Sequence, residues 1–171
     1  VRLCGRGNLS FFLDEADLLF GKYGGDREMI TALNEGFMQG GNFWKCIGPE
    51  NTETQMPVHS AVAMAGISLN TKLPDTTLSR CIVINMERAK AGQLQEKYRR
   101  KRHARKFVEH GEKLKRWIND HRRQIENHDP QIPEVVDERD EDKWMPLISI
   151  AQIASPQLGQ RAMRMLMDTR V

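Results

Sequence analysis

One run of seven residues constrains the fold more than any other: Leu9-Ser10-Phe11-Phe12-Leu13-Asp14-Glu15. Five mostly apolar residues lead straight into two adjacent carboxylates. An apolar run of this length is a strand for the interior of a sheet. Its end puts both carboxylates at the C-terminal edge, where open α/β sheets bind ligands. There Asp14 would hold Mg²⁺ through its water shell, and Glu15 would polarise an attacking water. The same letters also fit a strand that ends in a solvated acidic turn, so the residues that follow must decide.

Length and charge set the outer bounds. A chain of 171 residues suits one or two small domains with a real core. No apolar run approaches the roughly 20 residues needed to span a bilayer, and no secretory leader is legible. The expectation is a cytoplasmic protein without a membrane partner. Cys4, Cys46 and Cys81 are odd in number and far apart, which fits neither a disulfide framework nor a metal knuckle and points to reduced thiols. Net charge is only +3, but it is unevenly spread. Residues 88–123 hold 14 Lys/Arg against 4 Asp/Glu, and residues 126–142 hold 8 acidic residues against Arg139 alone. A basic block followed by an acidic one implies either intramolecular attraction or a local nucleic-acid face.

The chain divides near Glu87. Before it, β-type runs alternate with turns and one helix, with Asp26 as N-cap, Ile30, Leu33 and Phe37 at helical spacing, and Gly40-Gly41 as the stop. Residues 43–47 read as a strand closed by Gly48-Pro49. Residues 60–67 read as a buried central strand, Leu73-Pro74-Asp75 as a turn or short helix, and residues 81–86 as another apolar strand. Strands interleaved with helices predict a largely parallel sheet. After Glu87, Leu94, Tyr98, Phe107, Leu114, Ile118 and Ile125 fit one long helix or two, with Gly111 as the weak point. Asp129-Pro130 and Ile132-Pro133 mark a loop. A second helix carries Trp144, Leu147, Ile148 and Ala151 on one face, and a third starts near Leu158. The expected fold class is α/β: a sheet domain over residues 1–87, then a helical domain over 88–171.

Two further positions carry chemistry. The apolar run 60–67 ends at Ser68 and Asn70, either of which could orient a water beside the Asp14-Glu15 carboxylates; both are also ordinary turn residues. Arg80 stands just before the apolar run 81–86, at the same predicted edge. A guanidinium is always charged and binds oxyanions bidentately, so Arg80 suits a phosphate, whether its own or a neighbouring subunit's. A salt bridge to Asp75 is the structural alternative.

Taken in order, an acid-tipped strand, helix, strand, polar-tipped strand, Leu-Pro-Asp turn, arginine, strand and helical lid follow the plan of the AAA+ ATPases. Leu13-Asp14-Glu15 stands in the place of Walker B, and Ser79-Arg80-Cys81 resembles the finger motif of clamp-loader subunits. The resemblance is fuller to the DUF3631 family of P-loop ATPase-like domains in phage, plasmid and other mobile-element proteins. It rests on Leu13-Asp14-Glu15-Ala16-Asp17, Gly40-Gly41 with Cys46-Ile47-Gly48, Ala65-Gly66-Ile67, and Leu73-Pro74-Asp75-Thr76-Thr77-Leu78-Ser79-Arg80, which has one extra threonine. It continues through Ile132-Pro133 and Arg139-Asp140-Glu141-Asp142-Lys143-Trp144-Met145-Pro146-Leu147-Ile148-Ser149-Ile150-Ala151, and so runs from about residue 10 to 165. The resemblance implies a partial P-loop, AAA+-like parallel sheet followed by a lid, with ATP and Mg²⁺ as cofactors and a homo-oligomer as the working form. It implies Asp14 as metal ligand, Glu15 as base, Ser68 or Asn70 as water-orienting residue, and Arg80 as finger. It also implies a lid arginine at Arg161 or Arg164, the former favoured.

One departure matters. P-loop enzymes cradle phosphate in a Gly-x-x-x-x-Gly-Lys-Ser/Thr loop, and the 171 residues contain none; Cys4-Gly5-Arg6-Gly7 is too short. The expectation is an upstream frame that supplies it, and a 171-residue piece that by itself does not bind ATP saturably. Asp14-Glu15-Ala16-Asp17 also spells the motif of DEAD-box RNA helicases, but neither their Ser-Ala-Thr motif nor a second RecA-like domain is present. In the basic block, Arg99, Arg100, Lys101, Arg102, Arg105 and Lys106 form either a solvated helix face or a contact for DNA phosphates. With Tyr98 as its only aromatic, the block is no base-stacking platform. A non-catalytic protein that binds nucleic acid or a partner is therefore the alternative to an ATPase.

Overall fold

The computed structural model describes residues 9–20, 25–90, 92–93 and 96–169; Cys4, the segment 4–7 and Leu94 lie outside them. The chain forms two compact units, Val1–Val83 and Ile84–Val171. The first contains β1 (Ser10–Leu13), a 3-10 turn at Ala16–Leu18, α1 (Arg27–Glu35), β2 (Asn42–Ile47), β3 (Thr52–Pro57), β4 (Ala61–Met64), a second 3-10 turn at Leu69–Thr71, and α2 (Asp75–Leu78). The second contains α3 (Arg100–Glu126), α4 (Glu138–Ala154) and α5 (Pro156–Asp168). The class is α/β, with a small parallel sheet.

That sheet is the pair β1–β4, in parallel register from Ser10 opposite Ala61 to Leu13 opposite Met64. The ladder continues past both strand ends: Ala65 N–H donates to Leu13 O, and Ala16 N–H to Ala65 O, each at 2.9 Å. Strand alternation sends Leu13 and Met64 to one face, where they pack on Ala16, Phe20 and Leu73 together with Met29, Ile30 and Leu33 of α1. The other face is bare, with Phe12 82% exposed. The strand expected over 60–67 is therefore shorter, and it is not buried: Ala61, Val62 and Ala63 are exposed. Among the described residues it has one neighbour and one covered face, where a central strand has two of each.

The helix expected after Asp26 forms, and the Asp26 carboxylate caps it by accepting from Met29 N–H at 3.2 Å. It stops at Gly36, earlier than Gly40-Gly41. A Cβ at Gly36 would lie 2.5 Å from Val58 O, so the glycine lets the strand connection pass close to the helix end. β2 pairs antiparallel with β3, Asn42 opposite Pro57 to Ile47 opposite Thr52. Thr-Glu-Thr-Gln-Met-Pro is too polar to read as a strand; it becomes one as the partner of β2, and of its residues only Met56 is buried, beside Phe43, Ala32 and Val58. Residues 81–86 form no strand, and Ile84 and Met86 are 73% and 87% exposed. A strand exists through its ladder, and none of the described strands pairs with this segment.

In the second unit, α3 runs through Gly111 unbroken for 27 residues, about 40 Å. Its apolar residues do not make a core along its length: Phe107 and Leu114 are 64% and 65% exposed, and Tyr98 precedes the helix. Among the described residues of this unit the buried large apolar side chains are Val136, Trp144, Ile148 and Leu166. α4 starts on Asp137, whose carboxylate accepts from Arg139 and Asp140 N–H, and its first turn is acidic, as the helix dipole favours. Ser155 ends α4 and caps α5 by accepting from Leu158 N–H. Gly159 permits the tight return, since a Cβ there would sit 2.6 Å from Gln152 Cγ. α5 therefore meets α4 on the Gln152 side; Trp144, Ile148 and Ser149 of α4 are buried, and Leu147 is 48% exposed rather than on the core face. Ile148→Ala should accordingly cost about 2–5 kcal/mol of unfolding free energy and Leu147→Ala less than about 1, as read by urea denaturation. Equal losses would contradict this packing.

Candidate functional site

The parallel register brings the ends of β1 and β4 to one edge. β1 gives way to Asp14 and then Glu15, which adopts left-handed backbone at φ 50°. β4 gives way to Gly66-Ile67 and then Ser68, left-handed as well at φ 53°. A non-glycine residue in that region costs about 1–2 kcal/mol, and such strain gathers where function requires it. Asp14 Oδ1 accepts from Glu15 N–H at 2.9 Å, and both side chains are exposed. Asn70 lies in the exposed turn that follows Ser68, and Thr71 closes that turn by donating its hydroxyl to Ser68 O at 2.8 Å. Asp14, Glu15, Ser68 and Asn70 thus stand on two adjacent loops of the same sheet edge. An apolar hollow lined by Phe11, Leu33 and Val62 lies elsewhere, between α1 and the sheet face.

Two residues to which the sequence assigns no chemistry tie the loops together. Asp17 Oδ1 accepts from Ile67 N–H at 3.2 Å, and its Oδ2 meets Lys72 Nζ at 3.1 Å. The Lys72 ammonium, then the Ile67 N–H, hold the Asp17 carboxyl below its ordinary value. The signal for Asp17 is present in Asp14-Glu15-Ala16-Asp17, where the last acid follows the first by one short turn.

Arg80 is arranged differently. Its Nη1 donates to Thr76 O, and its guanidinium lies 5.9 Å from the centre of the Phe37 ring. It forms no ion pair with Asp75 and no hydrogen bond or ion pair with Asp14, Glu15, Ser68 or Asn70. α2 is anchored by Thr77, whose hydroxyl donates to Asn34 Oδ1 at 3.0 Å.

In the second unit the basic residues of the block are all exposed. Arg102 pairs with Glu96 at 3.1 Å and Arg105 with Glu109 at 2.9 Å, while Arg99, Arg100 and Lys101 have no acid partner among the described residues. The basic block is thus neutralised locally, in part, and its ion pairs do not reach the acidic residues 134–142. Buried His103 accepts Arg99 N–H on Nδ1 at 2.8 Å and faces Glu96 with Nε2 at 3.2 Å. Arg102 and then His103 hold Glu96 below its ordinary value. Tyr98 stacks on His103, ring centres 5.6 Å apart, which occupies one face of its ring. Arg161 and Arg164 lie on α5. Cys46 and Cys81 are free thiols, and no described helix is long and apolar enough to cross a membrane.

The second unit also carries a family match. A family described as "Protein of unknown function (DUF3631)" matches residues 85–169, which takes in α3, α4 and α5. No curated protein and no solved structure matches the chain.

The Asp17 contact has a pH signature. Its folded pKa is depressed, so its contribution to stability is complete above the ordinary carboxylate value of 3.8 and is lost as pH falls through the lower folded value. The difference in thermal midpoint between the wild type and Asp17→Asn should therefore be largest near neutral pH and shrink below that value. A difference that grows on acidification would contradict the assignment.

Proposed function

We propose that this chain is the Walker B-to-arginine part of an AAA+-like P-loop ATPase with its helical lid, a DUF3631 protein that works in the replication or mobilisation of a mobile element. The observation that carries the reading is the parallel pairing of β1 with β4, which sets Asp14-Glu15 beside Ser68 and Asn70 at a C-terminal sheet edge. The family match over residues 85–169 supports the DUF3631 part of the reading.

The donor set fits magnesium in company with phosphate. Asp14 and Glu15 offer exposed carboxylates after β1, and Mg²⁺ in nucleotide sites takes one or two carboxylates plus phosphate oxygens rather than an all-protein cage. Bound there, the ion would neutralise phosphate charge and orient the γ-phosphate. Asp14 would hold it, while Glu15 would take the proton from water and Ser68 or Asn70 would orient that water. Arg80 would leave its contact with Thr76 O to serve as a finger offered to a neighbouring subunit, and Arg161 or Arg164 would read the state of the nucleotide. The reading requires a phosphate loop, which these 171 residues do not contain.

A second reading is favoured by Arg99, Arg100 and Lys101, exposed and without acid partners among the described residues: a non-hydrolysing protein that holds nucleic-acid backbone along α3. Each lost duplex-phosphate contact should lower the slope of log affinity against log salt by about 0.9. Neutralising the three would reduce the slope on that reading and leave it unchanged on the first.

In a polypeptide that joins this chain to its phosphate loop, Glu15→Gln should keep ATP binding and lower hydrolysis by roughly 10²-fold or more. Asp14→Ala should weaken Mg²⁺-dependent binding. Hydrolysis at the wild-type rate by Glu15→Gln would overturn the assignment. Arg80→Ala should bind ATP without hydrolysing it, and mixing it with Glu15→Gln should restore part of the activity. No rescue despite verified subunit exchange would make Arg80 a cis or structural residue.

A further inference from the structure

We propose that Asp17 and Lys72 are a positioning pair that fixes the Glu15 turn against the Ser68 turn, so that the two polar strand ends act as one site. The inference rests on the reading of this edge as the nucleotide site. The backbone ladder between β1 and β4 ends where Ala16 N–H meets Ala65 O. The left-handed turn at Glu15 stands just before this bond and the one at Ser68 beyond it, and no further backbone bond among the described residues holds one chain to the other. The Asp17 carboxylate takes over at this point. Its Oδ1 accepts the Ile67 N–H that a strand carbonyl would otherwise take, and its Oδ2 holds Lys72, on the far side of the Leu69–Thr71 turn. One carboxylate therefore clamps both ends of the loop that carries Ser68 and Asn70.

The flanks of the clamp are fixed independently. Ala16 is fully buried and Leu73 is 7% exposed, both in one core cluster, so Asp17 and Lys72 each adjoin an anchored residue. Gly66 supplies the seat: a Cβ there would lie 2.7 Å from Asp17 Oδ1 and 2.9 Å from its backbone nitrogen. The side chains of Asp17 and Lys72 are 16% and 33% exposed, so the pair lies at the margin of the core and can be altered without opening a cavity. Its effect is placement. A loop released by an ångström leaves a water-orienting side chain out of line, an error that costs about 10²-fold in rate.

The test uses variants that reach the same contact from different atoms. Asp17→Ala removes acceptor and charge, Asp17→Asn restores the acceptor alone, Lys72→Met removes the cation, and Gly66→Ala crowds the seat and leaves the charges in place. The first readout is amide hydrogen exchange in the 171-residue chain. Ile67 exchange should speed up about tenfold in Asp17→Ala and Gly66→Ala, with partial recovery in Asp17→Asn, while Ala65, bonded to Leu13 O, keeps its protection. Unchanged exchange at Ile67, or parallel loss at Ala65 in every variant, overturns the proposal. The second readout is steady-state kinetics in the ATP-hydrolysing polypeptide, where Asp17→Asn and Lys72→Met should lower kcat about 10²-fold with KM for ATP preserved. A local response at Ile67 with unchanged kcat overturns the positioning role. Absence of ATP hydrolysis by the wild type is the failure of the nucleotide reading, and the Ile67 exchange rates then decide by themselves whether the clamp exists.

Discussion

Parallel pairing is the constraint on which the first unit depends. Two parallel strands cannot be joined by a tight turn, so the chain between Leu13 and Ala61 must travel back to the start of β1 before β4 can form. α1 and the β2–β3 hairpin are that return path, and they bring their own small core of Ala32, Phe43, Met56 and Val58. Because both strands run the same way, every polar residue that follows them appears at one edge. Just past the paired residues each chain leaves the sheet through a left-handed residue, Glu15 after β1 and Ser68 after β4.

The second unit obeys different physics. Its buried apolar residues are few, and α4 and α5 are held by local devices: the Asp137 cap, the shared Ser155, and the glycine that admits Gln152. α3 is stabilised along its exposed length by i to i+4 ion pairs such as Arg105 with Glu109, each of modest worth in solvent. A helix so exposed, with apolar Phe107 and Leu114 uncovered, carries more surface than its own fold requires.

Legibility followed locality. Asp26 as a cap, the strand through Phe43 and the onset of the last helix were all readable, because each depends on neighbours within a turn or two. β3 was not, since its polar letters become a strand only through β2. Residues 81–86 failed the other way: apolar letters propose a strand, but a strand needs an edge to join. At the candidate site, Asp14, Glu15 and Ser68 could be named from apolar runs that end in polar residues. Asp17 stands in the same acidic run, but its pairing with Lys72 could not be named, because it joins positions 55 apart in the chain. Leu147 illustrates the remaining gap, for helical spacing gives a face but not the side from which the next helix arrives.

On the proposed function, the shared end of β1 and β4 receives a magnesium nucleotide. Paramagnetic broadening by Mn²⁺·ATP, mapped onto backbone amides of the polypeptide that joins this chain to its phosphate loop, tests that most directly. Strongest broadening is expected at Asp14, Glu15 and Ser68, with little at Cys46 on the hairpin. Broadening concentrated instead on the basic start of α3, or none at the sheet edge at saturating nucleotide, would contradict it.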